Sequence, residues 1–128
     1  MALSSVAIDT NVAIEALNGN PLTIRMLERF DLIYLPITVC GELLYGAKNS
    51  SRVHYNLPRY ESFISDCEVL DTQESVAKEY SSIKKHLRDV GCPIPENDIW
   101  IAAICTFYNI PLFTRDGHFE NIPVLKRF

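Results

Sequence analysis

Several things are scarce in this 128-residue sequence. Its four cysteines, Cys40, Cys67, Cys92 and Cys105, form no C-x-x-C pair and all lie in or beside apolar runs. They therefore read as buried, reduced thiols of a cytosolic protein. The three histidines, His54, His86 and His118, are scattered and show no H-E-x-x-H or similar spacing, so none receives a ligand or general-base role. Basic residues are outnumbered, 12 Lys and Arg against 16 Asp and Glu, for a formal net charge of -4. Bulk electrostatic attraction to nucleic acid is therefore not expected, although a local basic patch could still bind phosphate. No apolar stretch approaches the roughly 20 residues that span a bilayer. The opening Met1-Ala2-Leu3-Ser4-Ser5 has neither a basic n-region nor a long apolar h-region. The expectation is a soluble, cytoplasmic protein with no membrane partner. Repeats, low-complexity segments and linker-like stretches are also absent, which predicts one domain over residues 1–128.

What is present is an ordinary globular composition, 48% hydrophobic and 22% charged, enough to bury about two-thirds of the unfolded surface. Short apolar strands alternate with helical patterns. Leu3 to Ile8 reads as a buried strand, followed by a helix from Val12 to Leu17 capped by Thr10 or Asn11. The breaker cluster Asn18-Gly19-Asn20-Pro21 separates it from a helix over Leu22 to Phe30. Leu32 to Leu35 is a second strand, closed by Pro36, and Ile37 to Lys48 a third helix. Within it Gly41 and Gly46 weaken the helix or permit a close approach. Asn49 to Ser65 is helical but interrupted by Pro58. Cys67 to Leu70 is a third strand, and Asp71-Thr72-x-Glu74 reads as the cap and first turn of a helix reaching Leu87. Asp98 to Tyr108 is apolar nearly all round and belongs in the core. Pro111 to Thr114 is a fourth strand, and Ile122 to Leu125 is expected to add a fifth at the sheet edge. This alternation predicts a three-layer α/β/α domain with a mostly parallel sheet.

The chemistry concentrates in four acids. Asp9 and Asp116 each follow a strand at its C-terminal end, where open α/β sheets place their ligands. Asp98 opens the buried helix, and Glu42 lies early on the helix after the second strand. Each has an ordinary role to fall back on: Asp98 complements a helix dipole, Asp116 serves a turn in Arg115-Asp116-Gly117, and Glu42 is solvated. Jointly they are hard to put down to accident. Four carboxylates in one crevice repel one another unless a divalent cation joins them, and hard oxygen donors select Mg²⁺ or Mn²⁺ over zinc. The matching chemistry is phosphodiester hydrolysis by a metal-activated water.

Asp9-Thr10-Asn11, Glu42 within Ile37 to Ala47, Asn97-Asp98-x-x-Ile101-Ala102-Ala103 and Thr114-Arg115-Asp116-x-x-Phe119 resemble the motifs of PIN-domain ribonucleases. Among these the resemblance is to the VapC toxins of bacterial toxin–antitoxin pairs, and it runs the length of the chain in order. His118 stands where some relatives carry an acid, which leaves any fifth metal ligand open. The resemblance implies a PIN-like sheet of four to five strands in the order 3-2-1-4-5, and Mg²⁺- or Mn²⁺-dependent endonucleolytic cleavage of RNA. It also implies a homodimer and a cognate VapB-type antitoxin. By matching position, Asp9, Glu42, Asp98 and Asp116 would be the metal and catalytic acids, Thr114 would orient a ligand or water, and Asn11 would support Asp9. Arg115, Lys48, Arg52 and Arg59 are candidates for phosphate contacts or simply solvated cations. The alternative is a non-catalytic PIN-like module that binds protein or RNA. A receiver-type phosphoacceptor is disfavoured, because Asp9-Thr10 and Thr114-Arg115 lack its paired acids and distal lysine.

Overall fold

Val6, Ala7 and Ile8 are fully buried, as a strand must be when it has neighbours on both sides and helices over both faces. They belong to β1 (Leu3–Ile8), one of two inner strands of a parallel sheet in the computed structural model, which describes residues 3–128. Met1 and Ala2, part of the segment that shows no leader pattern, lie outside the described residues. The chain continues as α1 (Thr10–Leu17), α2 (Pro21–Leu27), β2 (Phe30–Pro36), α3 (Ile37–Lys48) and α4 (Val53–Ser65). There follow β3 (Glu68–Leu70), α5 (Glu74–Asp89), α6 (Glu96–Tyr108), β4 (Leu112–Phe113) and a 3₁₀ turn at Gly117–Asn121.

The sheet order is β3-β2-β1-β4, and every named pair is parallel. The chain steps outward from β1 through β2 to β3, then returns across β1 to β4. Right-handed crossovers therefore put α1 to α4 on one face and α5 and α6 on the other. This is the expected α/β/α layering, with its switch point between β1 and β4. The register Ile8↔Phe113 brings Asp9 and Thr114, the next residue of each strand, side by side. Helix α6 buries Ile99 and the run Ile101 to Cys105, in keeping with its all-round apolar sequence. No helix among the described residues is long and apolar enough to cross a membrane.

Several local expectations are corrected. Ile122 to Leu125 forms no strand. Pro123 has no N–H to donate, and Ile122 and Leu125 turn into the core instead. The open edge of β4 is met further on, where Leu112 N–H donates to Lys126 O and Phe128 N–H donates to Leu112 O, each at 2.9 Å, a single bridge rather than a fifth strand. The second helix stops at Leu27, because Phe30 enters the β2 ladder. Its start is set by Asn20, whose side chain accepts the Leu22 and Thr23 N–H groups at 3.1 Å, with Pro21 in the first turn. Leu22 is 68% exposed and is no core residue. Pro58 does not divide α4. It is exposed, on the side where water can satisfy the freed carbonyl. Helix α5 begins after Gln73, without a side-chain cap, and Asp71 accepts the neighbouring Thr72 N–H. The cap of α1 is Asp9 itself. Finally, a Cβ placed at Gly41 or Gly46 would meet nothing within 4 Å, so neither glycine serves a close approach within the chain.

The cysteines are all free, two buried and two half-buried. Burial pushes the Cys67 and Cys105 thiols up to about 12, so both stay protonated and unreactive at neutral pH.

Two substitutions test this description by urea denaturation. Gly46→Ala should raise stability by about 0.4–1 kcal/mol, since helical φ/ψ suits alanine and no neighbour obstructs it. Phe119→Ala should cost about 3–5 kcal/mol, because Phe119 is fully buried beneath the 3₁₀ turn.

Candidate metal centre

Asp9 is 5% exposed and holds position through both carboxylate oxygens. Oδ1 accepts the Val12 N–H at 3.0 Å, capping α1; Oδ2 accepts the Thr114 hydroxyl. The same Thr114 oxygen accepts the Asp116 N–H at 3.0 Å. One hydroxyl thus ties together the ends of β1 and β4 and the start of the turn that carries Asp116. Asp116 in turn caps the 3₁₀ turn, its Oδ1 accepting the His118 N–H at 2.9 Å.

Helix α6 delivers Asp98 from the other face of the sheet. Its Oδ2 lies 2.8 Å from His118 Nδ1, and that nitrogen is 3.2 Å from Asp116 Oδ1. Asp98, Asp116 and His118 can each present one donor atom within 4.8 Å of the others. Helix α3 brings Glu42, whose Oε1 accepts the Thr10 hydroxyl at 3.0 Å. A groove of about 310 Å³ opens beside it, lined by Thr38, Gly41, Glu42, Tyr45 and Asn97. All four acids thus stand at the C-terminal end of the sheet, close enough for their charges to be felt, but among the described residues the donor cluster within 4.8 Å is Asp98, Asp116 and His118, with Asp9 and Glu42 outside it.

Their electrostatics agree. Burial raises the Asp9 pKa above the ordinary carboxylate value; the hydrogen bonds from Thr114 and Val12 oppose it, and the charges of Asp116 and Asp98 add to it. Glu42 is raised mainly by burial, opposed by Thr10 and helped by the Asp98 charge. Asp98 is raised by burial as well, with His118 opposing and Asp116 assisting. His118 moves upward because Asp98 holds its proton. Three acids that resist ionisation beside one imidazole form a site short of positive charge. The donor chemistry fits a divalent cation: carboxylate oxygens held by outer hydrogen bonds from Thr10, Val12 and Thr114.

The remaining candidates are placed differently. Asn11 is exposed, and Thr114 rather than Asn11 bonds Asp9. Arg115 turns away toward α1 and α2, paired with Glu15, 3.3 Å from the Thr23 hydroxyl and stacked over Phe113 at 5.2 Å. Arg59 pins α4 to the end of α1 through the Leu17 carbonyl at 2.8 Å. Lys48 is exposed at the end of α3, where a cation suits the helix dipole. Arg52 is exposed too, with its guanidinium 4.2 Å from the Tyr55 ring centroid. Sequence reasoning left a fifth metal ligand open without assigning it to His118, and gave Thr10 only a capping role. The one signal for His118 was its position two residues after Asp116, the reach of an Asx-type turn.

Residues 6–125 match the model of the PIN domain family. The chain is 39% identical over 125 residues to Ribonuclease VapC2 of Haemophilus influenzae, covering 93% of this chain and 92% of that protein. It is 32% identical over 124 residues to the tRNA(fMet)-specific endonuclease VapC of Salmonella typhimurium, with the same two coverages of 93% and 92%. Among solved structures it resembles VapBC2 from Rickettsia felis bound to a promoter DNA fragment, with a TM-score of 0.89, 26% identity and 97% of each chain covered.

The raised carboxylates fix the sign of a pH effect. Between the ordinary values of Asp9, Glu42 and Asp98 and their higher folded ones, the native state binds more protons than the unfolded chain. Their stabilisation is therefore lost as pH rises through the folded values. The His118 contribution, full below 6.5, is likewise lost as pH rises through its raised folded value. EDTA-treated protein should therefore be less stable at pH 8 than at pH 6 by chemical denaturation, and Asp98→Asn should narrow that difference. Asp9→Asn, which preserves the helix cap, should raise the metal-free melting temperature at neutral pH.

Proposed function

The chain belongs to the PIN-domain family, and from that membership we propose that it is a metal-dependent endoribonuclease, the toxin of a toxin–antitoxin pair, working as one nuclease domain over residues 1–128. The observation that supports this reading is the linkage at one end of the sheet of Asp9 to Asp116 through Thr114, of Asp116 to Asp98 through His118, and of Glu42 to Thr10 beside Asp9. A non-catalytic binding module would gain nothing from Asp9 and Asp98, whose desolvation, helped by neighbouring carboxylate charge, raises their pKa values.

In this reading the four acids hold Mg²⁺ or Mn²⁺. A cation held there would provide a water activated for attack and would offset charge on the scissile phosphate. Every other role falls to side chains of this chain. Thr114 keeps Asp9 and Asp116 at fixed separation, so that their oxygens need no rearrangement on binding. Thr10 holds Glu42 against the crevice. The RNA backbone lies along the groove at Glu42 and Tyr45, with the exposed cations Lys48 and Arg52 as its phosphate contacts. Arg115, engaged by Glu15, braces the Asp116 turn rather than reaching for phosphate.

The partners follow from the relatives. The Haemophilus influenzae protein is named a ribonuclease, the Salmonella typhimurium one a tRNA(fMet)-specific endonuclease, and the Rickettsia felis neighbour is a VapBC2 complex. For this chain the proposal is accordingly an RNA substrate, a VapB-type antitoxin, and a homodimer that enters a larger complex with that antitoxin in the cytoplasm.

Cleavage of cellular RNA should vanish in EDTA and return with Mg²⁺ or Mn²⁺. Asp9→Asn and Asp98→Asn should each lower the rate at least about a hundredfold with the circular dichroism spectrum retained. Undiminished cleavage in EDTA, or by either variant, would sink the metal-dependent reading. Expression in a bacterial host should arrest growth unless the cognate antitoxin gene is supplied.

A further inference from the structure

The imidazole of His118 occupies a position that the acids alone do not account for. Its backbone N–H is held by Asp116 at 2.9 Å, and the next residue, Phe119, is anchored in the core at 0% exposure. The ring is thereby fixed from below, with Nδ1 at 2.8 Å from Asp98 Oδ2 and 3.2 Å from Asp116 Oδ1. In octahedral coordination at about 2.1 Å, neighbouring donors stand about 3.0 Å apart. The two observed separations bracket that edge. They also suit hydrogen bonds, so His118 Nδ1 stands near coordination spacing from each of the two acids, which lie within 4.8 Å of each other.

We propose that His118 Nδ1 is a direct nitrogen ligand of the divalent cation, completing a face with Asp98 and Asp116, so that the site favours Mn²⁺ over Mg²⁺. This rests on the reading that the acidic crevice binds a divalent cation. Mg²⁺ favours oxygen donors and keeps its waters, whereas imidazole suits transition ions. With oxygen ligands alone the two ions would be discriminated weakly; one imidazole shifts the balance to Mn²⁺. Bound this way the ring is neutral, its Nδ1 lone pair on the metal and its proton on Nε2.

The test is spectroscopic and does not depend on catalysis. EDTA-treated wild-type protein is titrated with Mn²⁺ and with Mg²⁺ by calorimetry, and the Mn²⁺ complex is studied by electron spin echo envelope modulation. The wild type should show ¹⁴N modulation and tighter Mn²⁺ than Mg²⁺ binding. His118→Ala should lose the modulation and about tenfold or more of the Mn²⁺ affinity, with Mg²⁺ affinity changed far less. His118→Asn, smaller and oxygen-bearing, should behave the same way, and thermal unfolding in EDTA checks that both variants fold. Tight Mn²⁺ binding without ¹⁴N modulation, or an unchanged Mn²⁺-to-Mg²⁺ ratio in His118→Ala, overturns the His118 assignment and leaves the acidic site standing. A wild type that binds neither ion, or an Asp98→Asn variant that binds both as well as wild type, overturns the crevice reading and this proposal with it.

Discussion

One threonine hydroxyl governs the geometry of this protein's working end. Thr114 donates to Asp9 and accepts from the Asp116 backbone, and it can do so because parallel pairing of β1 and β4 sets residues 9 and 114 next to each other. A methyl group there would leave a buried carboxylate oxygen without its donor, a loss of about 1–3 kcal/mol for a neutral group and more for a charged one. The capping of α1 by Asp9 and of the 3₁₀ turn by Asp116 both depend on where that hydroxyl holds the strand ends. Sheet pairing, helix capping and acid placement are in this sense one arrangement.

That arrangement carries a cost the fold does not remove. Asp9, Glu42 and Asp98 are desolvated near one another. The basic residue beside the site in sequence, Arg115, is engaged by Glu15, so among the described residues these acids are met by the His118 imidazole and by neutral hydroxyl, backbone and Asn97 amide donors. A site under-compensated by its own side chains is poised for an added cation, and stability is surrendered where function needs it. Away from the crevice the design is conventional. Arg59 ties α4 to α1, Lys85 pairs with Asp89 along α5, and Tyr80 stacks on Trp100 with ring centroids 4.0 Å apart between α5 and α6.

Legibility followed the physics of each element. Strand β1 was readable because a short apolar run closed by an acid is too brief for a core helix and too apolar for a loop. Helix α6 was readable because residues apolar all round must be buried. Boundaries were missed where two local signals competed. Phe30 suits the apolar face of a helix, yet it joined the β2 ladder; Asp71-Thr72 looks like a cap, yet α5 starts after Gln73. The fifth strand failed at Pro123, and the edge of β4 was met by Lys126 to Phe128 instead, a pairing with no periodic signature in so short a tail.

The sequence by itself determined the layered α/β class and which acids stand at strand ends and helix starts, because hydrophobic periodicity and chain order are local properties. Tertiary structure alone decided which polar groups share a hydrogen bond. Thr10 reaches Glu42 across 32 residues, Thr114 reaches Asp9 across 105 and His118 reaches Asp98 across 20. Those pairings depend on strand register and on two helices arriving from opposite faces of the sheet, and neither is encoded in any single stretch of the chain.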